Sequence, residues 1–191
     1  MKKTRLIFIG LVTVMAASFL LTAAPAISFN IGQSVPEVGK EAFDFTLPDT
    51  SGHDVNLSDF RGKVILLSFW SCYTDKCFTS VGIIRDLLEE FHEQGLVAPT
   101  ICSEIPEVLA RNGYADLLKR CGLGQVVMVD ADRDIKRIYK VRKLPSSYLI
   151  GPDFTIHEIV KGTARLREPG FRESIVTLLE QVSPAASEGS E

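Results

Sequence analysis

The chain is poor in the residues that mark specialised protein classes. Only four cysteines occur in 191 residues, too few to staple a small scaffold in place of a hydrophobic core. Three histidines, His53, His92 and His157, stand far apart with no ligand spacing, which favours solvated or structural roles over a metal site. Positive charge is not in excess. Lys and Arg number 21 against 24 Asp and Glu, a formal net charge of −3, so no nucleic-acid partner is indicated. Fourteen Gly and nine Pro are ordinary for a globular chain and exclude collagen-like and low-complexity classes. There is no internal repeat, phosphate loop, Ser-His-Asp order or haem-attachment motif. Asp130 to Asp134 begins like a calcium loop, but Ile135 stands where Gly is required and Val141 where Glu belongs, so helix capping is the better account.

What is present begins with a targeting pattern. Lys2, Lys3 and Arg5 form a basic start, and the 19 residues from Leu6 to Ala24 carry no charge. Ala24-Pro25-Ala26 supplies small residues at a signal-peptidase site, so cleavage after Ala26 and export are expected. An uncleaved membrane anchor is the alternative, because 19 uncharged residues are just long enough to span a bilayer. The division expected is a signal or anchor at 1–26, an extended lead-in at 27–40, one domain at 41–182 and a disordered tail at 183–191. Residues 1–26 hold three basic residues and no acid, so the remainder carries 18 basic against 24 acidic residues, a charge of −6. All four cysteines, Cys72, Cys77, Cys102 and Cys121, lie in that remainder, in a compartment where disulfides persist.

The domain reads as α/β. Ala42 to Leu47 alternates with period two, and Asp49 to Gly52 turns the chain into a return strand at Val55 to Leu57, which makes a hairpin. Val64 to Trp70 is an almost continuous apolar run, as expected of a strand buried on both faces. Val81, Ile84, Leu87, Leu88 and Phe91 recur at helical spacing and Gly95 ends that helix. Leu96 to Cys102 reads as a strand weakened by Pro99, followed by a helix from Glu107 to Leu118 and a strand from Val126 to Val129. A short helix from Asp132 to Tyr139, a hairpin of Ser147 to Ile150 with Thr155 to Val160, and a helix from Phe171 to Val182 complete the order. Strands and helices in this order imply a mixed central sheet with helices on both faces.

Chemistry is expected where the Val64–Trp70 strand passes into the helix, at the carboxyl edge of the sheet. Cys77 falls in the first helical turn, where unpaired backbone N–H groups, the dipole and neighbouring Lys76 favour a thiolate. The alternative is an inert, buried cysteine that packs as a small hydrophobe.

These residues carry a resemblance. Leu57-Ser58-Asp59-Phe60-Arg61-Gly62-Lys63-Val64-Ile65-Leu66-Leu67-Ser68-Phe69-Trp70 resembles the approach to the active site of thioredoxin-like proteins of the TlpA/ResA type. Tyr139 to Ile150 is similar to the segment that holds that family's cis-proline, which the resemblance places at Pro145, and Gly151 to Ile156 with Gly162 match its last hairpin. The resemblance spans about Val35 to Val182. It implies a thioredoxin-like fold with an N-terminal β-hairpin, and a substrate groove shaped by Leu144 and Pro145 with Trp70 and Tyr73 as its apolar wall. It also implies thiol-disulfide exchange with exported protein thiols or disulfides, cytochrome c precursors or a membrane electron donor among them, and no cofactor.

One residue departs from the family pattern. Aligned on the tryptophan, Tyr73 matches the second aromatic, Thr74 stands where the family has its attacking cysteine, and Cys77 matches the resolving one. A hydroxyl cannot form a mixed disulfide, so exchange through residues 74 and 77 is excluded. Three readings follow. Cys72 replaces the missing thiol as the partner of Cys77, with Cys102 at the end of the adjacent strand as a competing partner and Cys121 structural or free. Alternatively, Thr74-Asp75-Lys76-Cys77 is the T-x-x-C pattern of peroxiredoxins, in which the hydroxyl holds the peroxide and the cysteine becomes a sulfenic acid. In the third reading the chain is a non-catalytic module that captures an extended peptide beside Pro145.

Overall fold

A computed structural model describes residues 36–71, 73–102 and 127–182. The targeting segment, most of the lead-in, Cys72, Cys121, the helix expected over 107–118 and the tail lie outside the described residues. Elements are numbered among the described residues: β1 Thr46–Pro48, β2 Asp54–Asn56, β3 Val64–Trp70, α1 Asp75–Phe91, β4 Leu96–Val97, β5 Thr100–Cys102, β6 Val127–Val129, α2 Asp134–Ile138, β7 Ser146–Ile150, β8 Ile156–Lys161 and α3 Pro169–Leu179. Short 3-10 turns follow β2, α1 and β8.

β3 is the centre of a six-stranded sheet in the order β6-β5-β3-β7-β8, with β4 also paired to β3. β4, β5 and β6 run parallel to their neighbours, while β7 and β8 are antiparallel. All seven residues of β3 are buried, as the unbroken apolar run requires of a strand covered on both sides. Its two-residue period sorts them. Val64, Leu66 and Trp70 join one core with Val81, Ile84 and Leu87 of α1 and Ile175 and Leu178 of α3. Ile65, Leu67 and Phe69 face the other core, with Ile135 of α2, Tyr139, Tyr148 and the N-terminal segment. Helices therefore cover both faces, and burying each such Leu or Ile contributes roughly 1.5–3 kcal/mol.

Several boundaries differ from expectation for physical reasons. The strand expected over Leu96–Cys102 is split, because Pro99 has no N–H to give the ladder. Both pieces keep one register with β3, Val64 opposite Leu96 and Trp70 opposite Cys102, and the Pro99 carbonyl still accepts the Ser68 N–H at 3.2 Å. The N-terminal alternation yields a regular pair only at Thr46–Pro48 with Asp54–Asn56. Earlier in that segment the Ala42 N–H is taken by the Phe154 carbonyl at 2.9 Å instead. The return strand stops at Asn56, since Asp59 accepts the Asn56 N–H at 3.0 Å and starts a 3-10 turn. Gly95 ends the α1 region at φ 112°, a conformation that L side chains rarely adopt, and its carbonyl accepts the Val64 N–H.

The motif at Asp130 caps a helix, as its sequence suggests. Buried Asp130 accepts the Ile135 N–H at 3.3 Å and the Lys136 N–H at 2.8 Å. No group of three or more His, Cys, Asp or Glu able to hold a metal occurs among the described residues. No helix among the described residues is long and apolar enough to cross a membrane.

Candidate functional site

At the carboxyl end of β3 the chain turns through Ser71 and Tyr73 into α1, whose N-cap is Thr74. Thr74 is extended, with φ −132° and ψ 129°, as an N-cap residue should be. Its carbonyl accepts the Cys77 N–H at 2.9 Å. Its hydroxyl makes no cap hydrogen bond, and the residue is exposed.

Cys77 is therefore the third residue of the helix, as its spacing predicts, and its thiol is fully buried, with no disulfide among the described residues. The Ser71 N–H donates to Cys77 Sγ at 3.4 Å. This bond spans the strand-to-helix turn and fixes the sulfur against the backbone that leaves β3. Ser71 in turn accepts the Tyr73 N–H on its hydroxyl at 3.2 Å, which tightens the same turn. Sequence reasoning did not single out Ser71. Its part is played by a backbone N–H, which any residue type supplies, so no side-chain pattern signals it.

The two aromatics expected to form one apolar wall differ in exposure. Tyr73 is 66% exposed, whereas Trp70 is 2% exposed and packs in the same core as Cys77. The buried Trp70 indole N–H has no hydrogen-bond partner among the described residues. Cys102 sits beside Trp70 in the β3–β5 register and belongs to that core as well.

The opposite rim comes from the segment that enters β7. The Leu144–Pro145 peptide bond is cis, at the position the resemblance indicates. Ser146, the next residue, pairs with Phe69, so Pro145 lies at the same end of the sheet as Trp70. The Pro145 carbonyl accepts the Gly162 N–H at 2.9 Å, and the Lys143 carbonyl accepts the Ser146 hydroxyl at 2.7 Å. Leu144, between them, is half-buried and has no backbone hydrogen bond among the described residues. One sheet edge thus gathers Trp70, Tyr73, Thr74, Cys77, Cys102, Leu144 and Pro145. Such an edge can hold a thiol against an extended chain segment.

The chain resembles several known proteins. The model of the AhpC/TSA family matches residues 38–159. The thiol-disulfide oxidoreductase ResA of Bacillus subtilis is 30% identical over 165 residues, which cover 85% of this chain and 89% of that protein. ResA of Bacillus cereus is 26% identical over 190 residues, 96% of this chain and all of that protein. Among solved structures, a Chlorobium tepidum protein assigned as the thiol:disulfide interchange protein DsbE superposes with a TM-score of 0.66 at 23% identity, over 76% of this chain and 99% of that one. With its β-hairpin, mixed sheet and cis-proline edge, this chain belongs to the AhpC/TSA family, as a thioredoxin-fold protein of the TlpA/ResA type, thiol-disulfide oxidoreductase-like in kind.

Proposed function

We propose that this chain performs thiol-based redox exchange on protein thiols or disulfides, with Cys77 as the functional thiol and Cys72 as its partner. The observation that carries the reading is the Ser71 N–H on Cys77 Sγ at 3.4 Å, because Cys72 is the next residue in the chain. A fully buried sulfur suits the resolving role, so the first attack falls to Cys72. The Cys72 thiolate attacks a substrate disulfide, one substrate thiol leaves, and a mixed disulfide forms. Cys77 then displaces the second substrate thiol. Two electrons pass to the substrate, and a Cys72–Cys77 disulfide remains. The reverse sequence oxidises a substrate dithiol.

Tyr73 supplies exposed apolar surface to the substrate, and Leu144 presents its backbone beside Pro145 for an extended segment. Trp70 supports this surface from beneath. Export by residues 1–26 gives the domain an extracytoplasmic, periplasmic setting, with exported proteins such as cytochrome c precursors as substrates and a membrane electron donor as the source of reducing equivalents. If the segment stays uncleaved, the domain is tethered to the membrane.

The exposed, uncapped hydroxyl of Thr74 favours a second reading, a thiol peroxidase. There the Cys77 thiolate takes one peroxide oxygen to become a sulfenate and the alcohol or water leaves.

Differential alkylation with peptide mass mapping separates the readings. A Cys72–Cys77 bridge that dithiothreitol opens, together with loss of exchange in Cys77→Ser, is the result expected. A bridge from Cys72 to Cys102 with Cys77 reduced, coupled to peroxide consumption, moves the peroxidase reading ahead. Absence of exchange in the unmodified chain, with peptide binding that survives Cys77→Ser, overturns the thiol role and leaves a peptide-binding module.

A further inference from the structure

Six of the 18 basic residues that follow residue 26 fall within the 11 positions 133–143: Arg133, Lys136, Arg137, Lys140, Arg142 and Lys143. Outside these positions the same part of the chain has 12 basic against 23 acidic residues, so a cationic patch is set into an acidic molecule. Among the described residues most of its charges are unpaired. Arg137 pairs with Asp134, and the other five make no ion pair among the described residues. Asp130, beneath them, is buried and engaged by the Ile135 and Lys136 backbone N–H groups. All but half-buried Lys136 are exposed. Arg133, Lys136, Arg137, Lys140 and Arg142 line a recess of about 620 Å³ together with Val141 and a single acid, Asp132. Two of these residues, Arg133 at φ 60° and Lys140 at φ 50°, hold left-handed backbone, where Gly or Asn would fit at less cost.

The patch runs directly into Leu144 and Pro145, the rim of the candidate site. We propose that it is a docking surface for an acidic stretch of the protein substrate, adjacent to the substrate cysteine that reacts at this edge; the proposal rests on the thiol-exchange reading above. Unpaired cations next to a reaction edge raise the encounter rate of a segment of opposite charge and fix its direction across the edge. An anionic membrane fits less well, because none of the exposed large apolar side chains among the described residues, Val38, Tyr73 and Val176, lies in the patch to enter a bilayer. A nucleic acid fits less well too, because its long phosphate backbone would run onto the surrounding acidic surface.

The test is fluorescence anisotropy with the full chain. The probe is a labelled peptide in which glutamates flank a central serine, placed where the reactive cysteine would be, and its glutamine counterpart is the control. The glutamate peptide should bind about tenfold more tightly at low salt. That advantage should disappear at high salt and in the K136Q/K140Q/R142Q variant. Equal binding of the two peptides overturns the proposal without recourse to any variant. So does an unchanged preference in K136Q/K140Q/R142Q, or tighter binding to phosphatidylglycerol vesicles than to the glutamate peptide. The same measurement on Cys77→Ser separates this proposal from the reading beneath it. Retained charge preference with lost exchange supports both, and retained preference with unaltered exchange overturns the thiol role alone.

Discussion

Thr74 puts an exposed hydroxyl at the N-cap of α1, three residues ahead of a buried thiol, where the TlpA/ResA pattern has sulfur. The surrounding frame is otherwise in place: the extended N-cap, the Cys77 N–H on the Thr74 carbonyl, and the cis peptide before Pro145. Thr74→Cys should therefore restore a pair of thiols, one exposed and one buried, spaced for an intramolecular disulfide. The expected result is insulin reduction in the presence of dithiothreitol at least about tenfold above the unmodified chain. An unmodified rate in a folded Thr74→Cys variant would show that the frame is not competent for exchange. The place of Cys77 in the first helical turn was legible from spacing, and those of Thr74 and of the cis-proline Pro145 from the family resemblance. The Ser71 contact was not legible, because it is a backbone bond. The apolar run marked Trp70 as part of a buried strand, but did not show that it would pack with α1 and α3 rather than wall a groove.

Elements were legible where one period dominated. β3 coincides with its apolar run, and α1 with its helical stripe, because burial of those faces leaves little choice of conformation. The edges of the fold were less legible, since capping and pairing by distant residues decide them. Between β3 and β7 there is also a link that apolar patterning hides. Ser68 and Ser147 are buried, and their hydroxyls hydrogen-bond at 2.8 Å. Ser147→Ala should cost about 1–3 kcal/mol, because it leaves the Ser68 hydroxyl buried and unpaired. The Ser68→Ala/Ser147→Ala double variant should recover much of that loss. Urea unfolding of the four-member cycle checks this, and strictly additive losses would show the hydroxyls to be uncoupled. The cap of α2 has a pH signature. Burial pushes the Asp130 carboxyl above the ordinary carboxylate range, against the pull of the Lys136 and Ile135 N–H groups. Between the unfolded value of about 3.9 and the raised folded value, the native state holds a proton that the unfolded state has lost. Stability from this group is thus full at low pH and declines as pH rises through that window. Asp49 and Asp153, whose carboxyls are held low by backbone hydrogen bonds, act in the opposite sense but cancel in a comparison with Asp130→Asn. The stability advantage of the unmodified chain over Asp130→Asn should shrink as pH rises from about 4 toward neutrality, as measured by urea midpoints, and a growing advantage would contradict the burial argument.

For the molecule as a whole, location decides which thiol chemistry is open to it. A cytosolic thiol pool would keep Cys72 and Cys77 reduced, whereas an oxidising compartment lets a bridge between them persist. Residues 1–26 are the part of the chain that bears on this. Removal of Lys2, Lys3 and Arg5 with that segment takes the formal charge from −3 to −6, so the processed protein should focus below the isoelectric point of about 5.7 of the whole chain. We expect the protein recovered from the extracytoplasmic fraction of expressing cells to begin at Ile27, with an intact mass corresponding to residues 27–191. Full-length mass confined to the membrane fraction would establish the anchor instead. The 11 residues 25–35 would then be the tether, because Gly39 and Lys40 are already hydrogen-bonded to Ile156 of the domain, with a reach of roughly 40 Å when fully extended. A tether of that length confines Cys77 and the cationic patch to partners at the bilayer surface. Intact mass therefore determines the class of substrate as well as the site of cleavage: freely diffusing exported proteins if the segment is removed, membrane-bound or nascent translocated chains if it is kept.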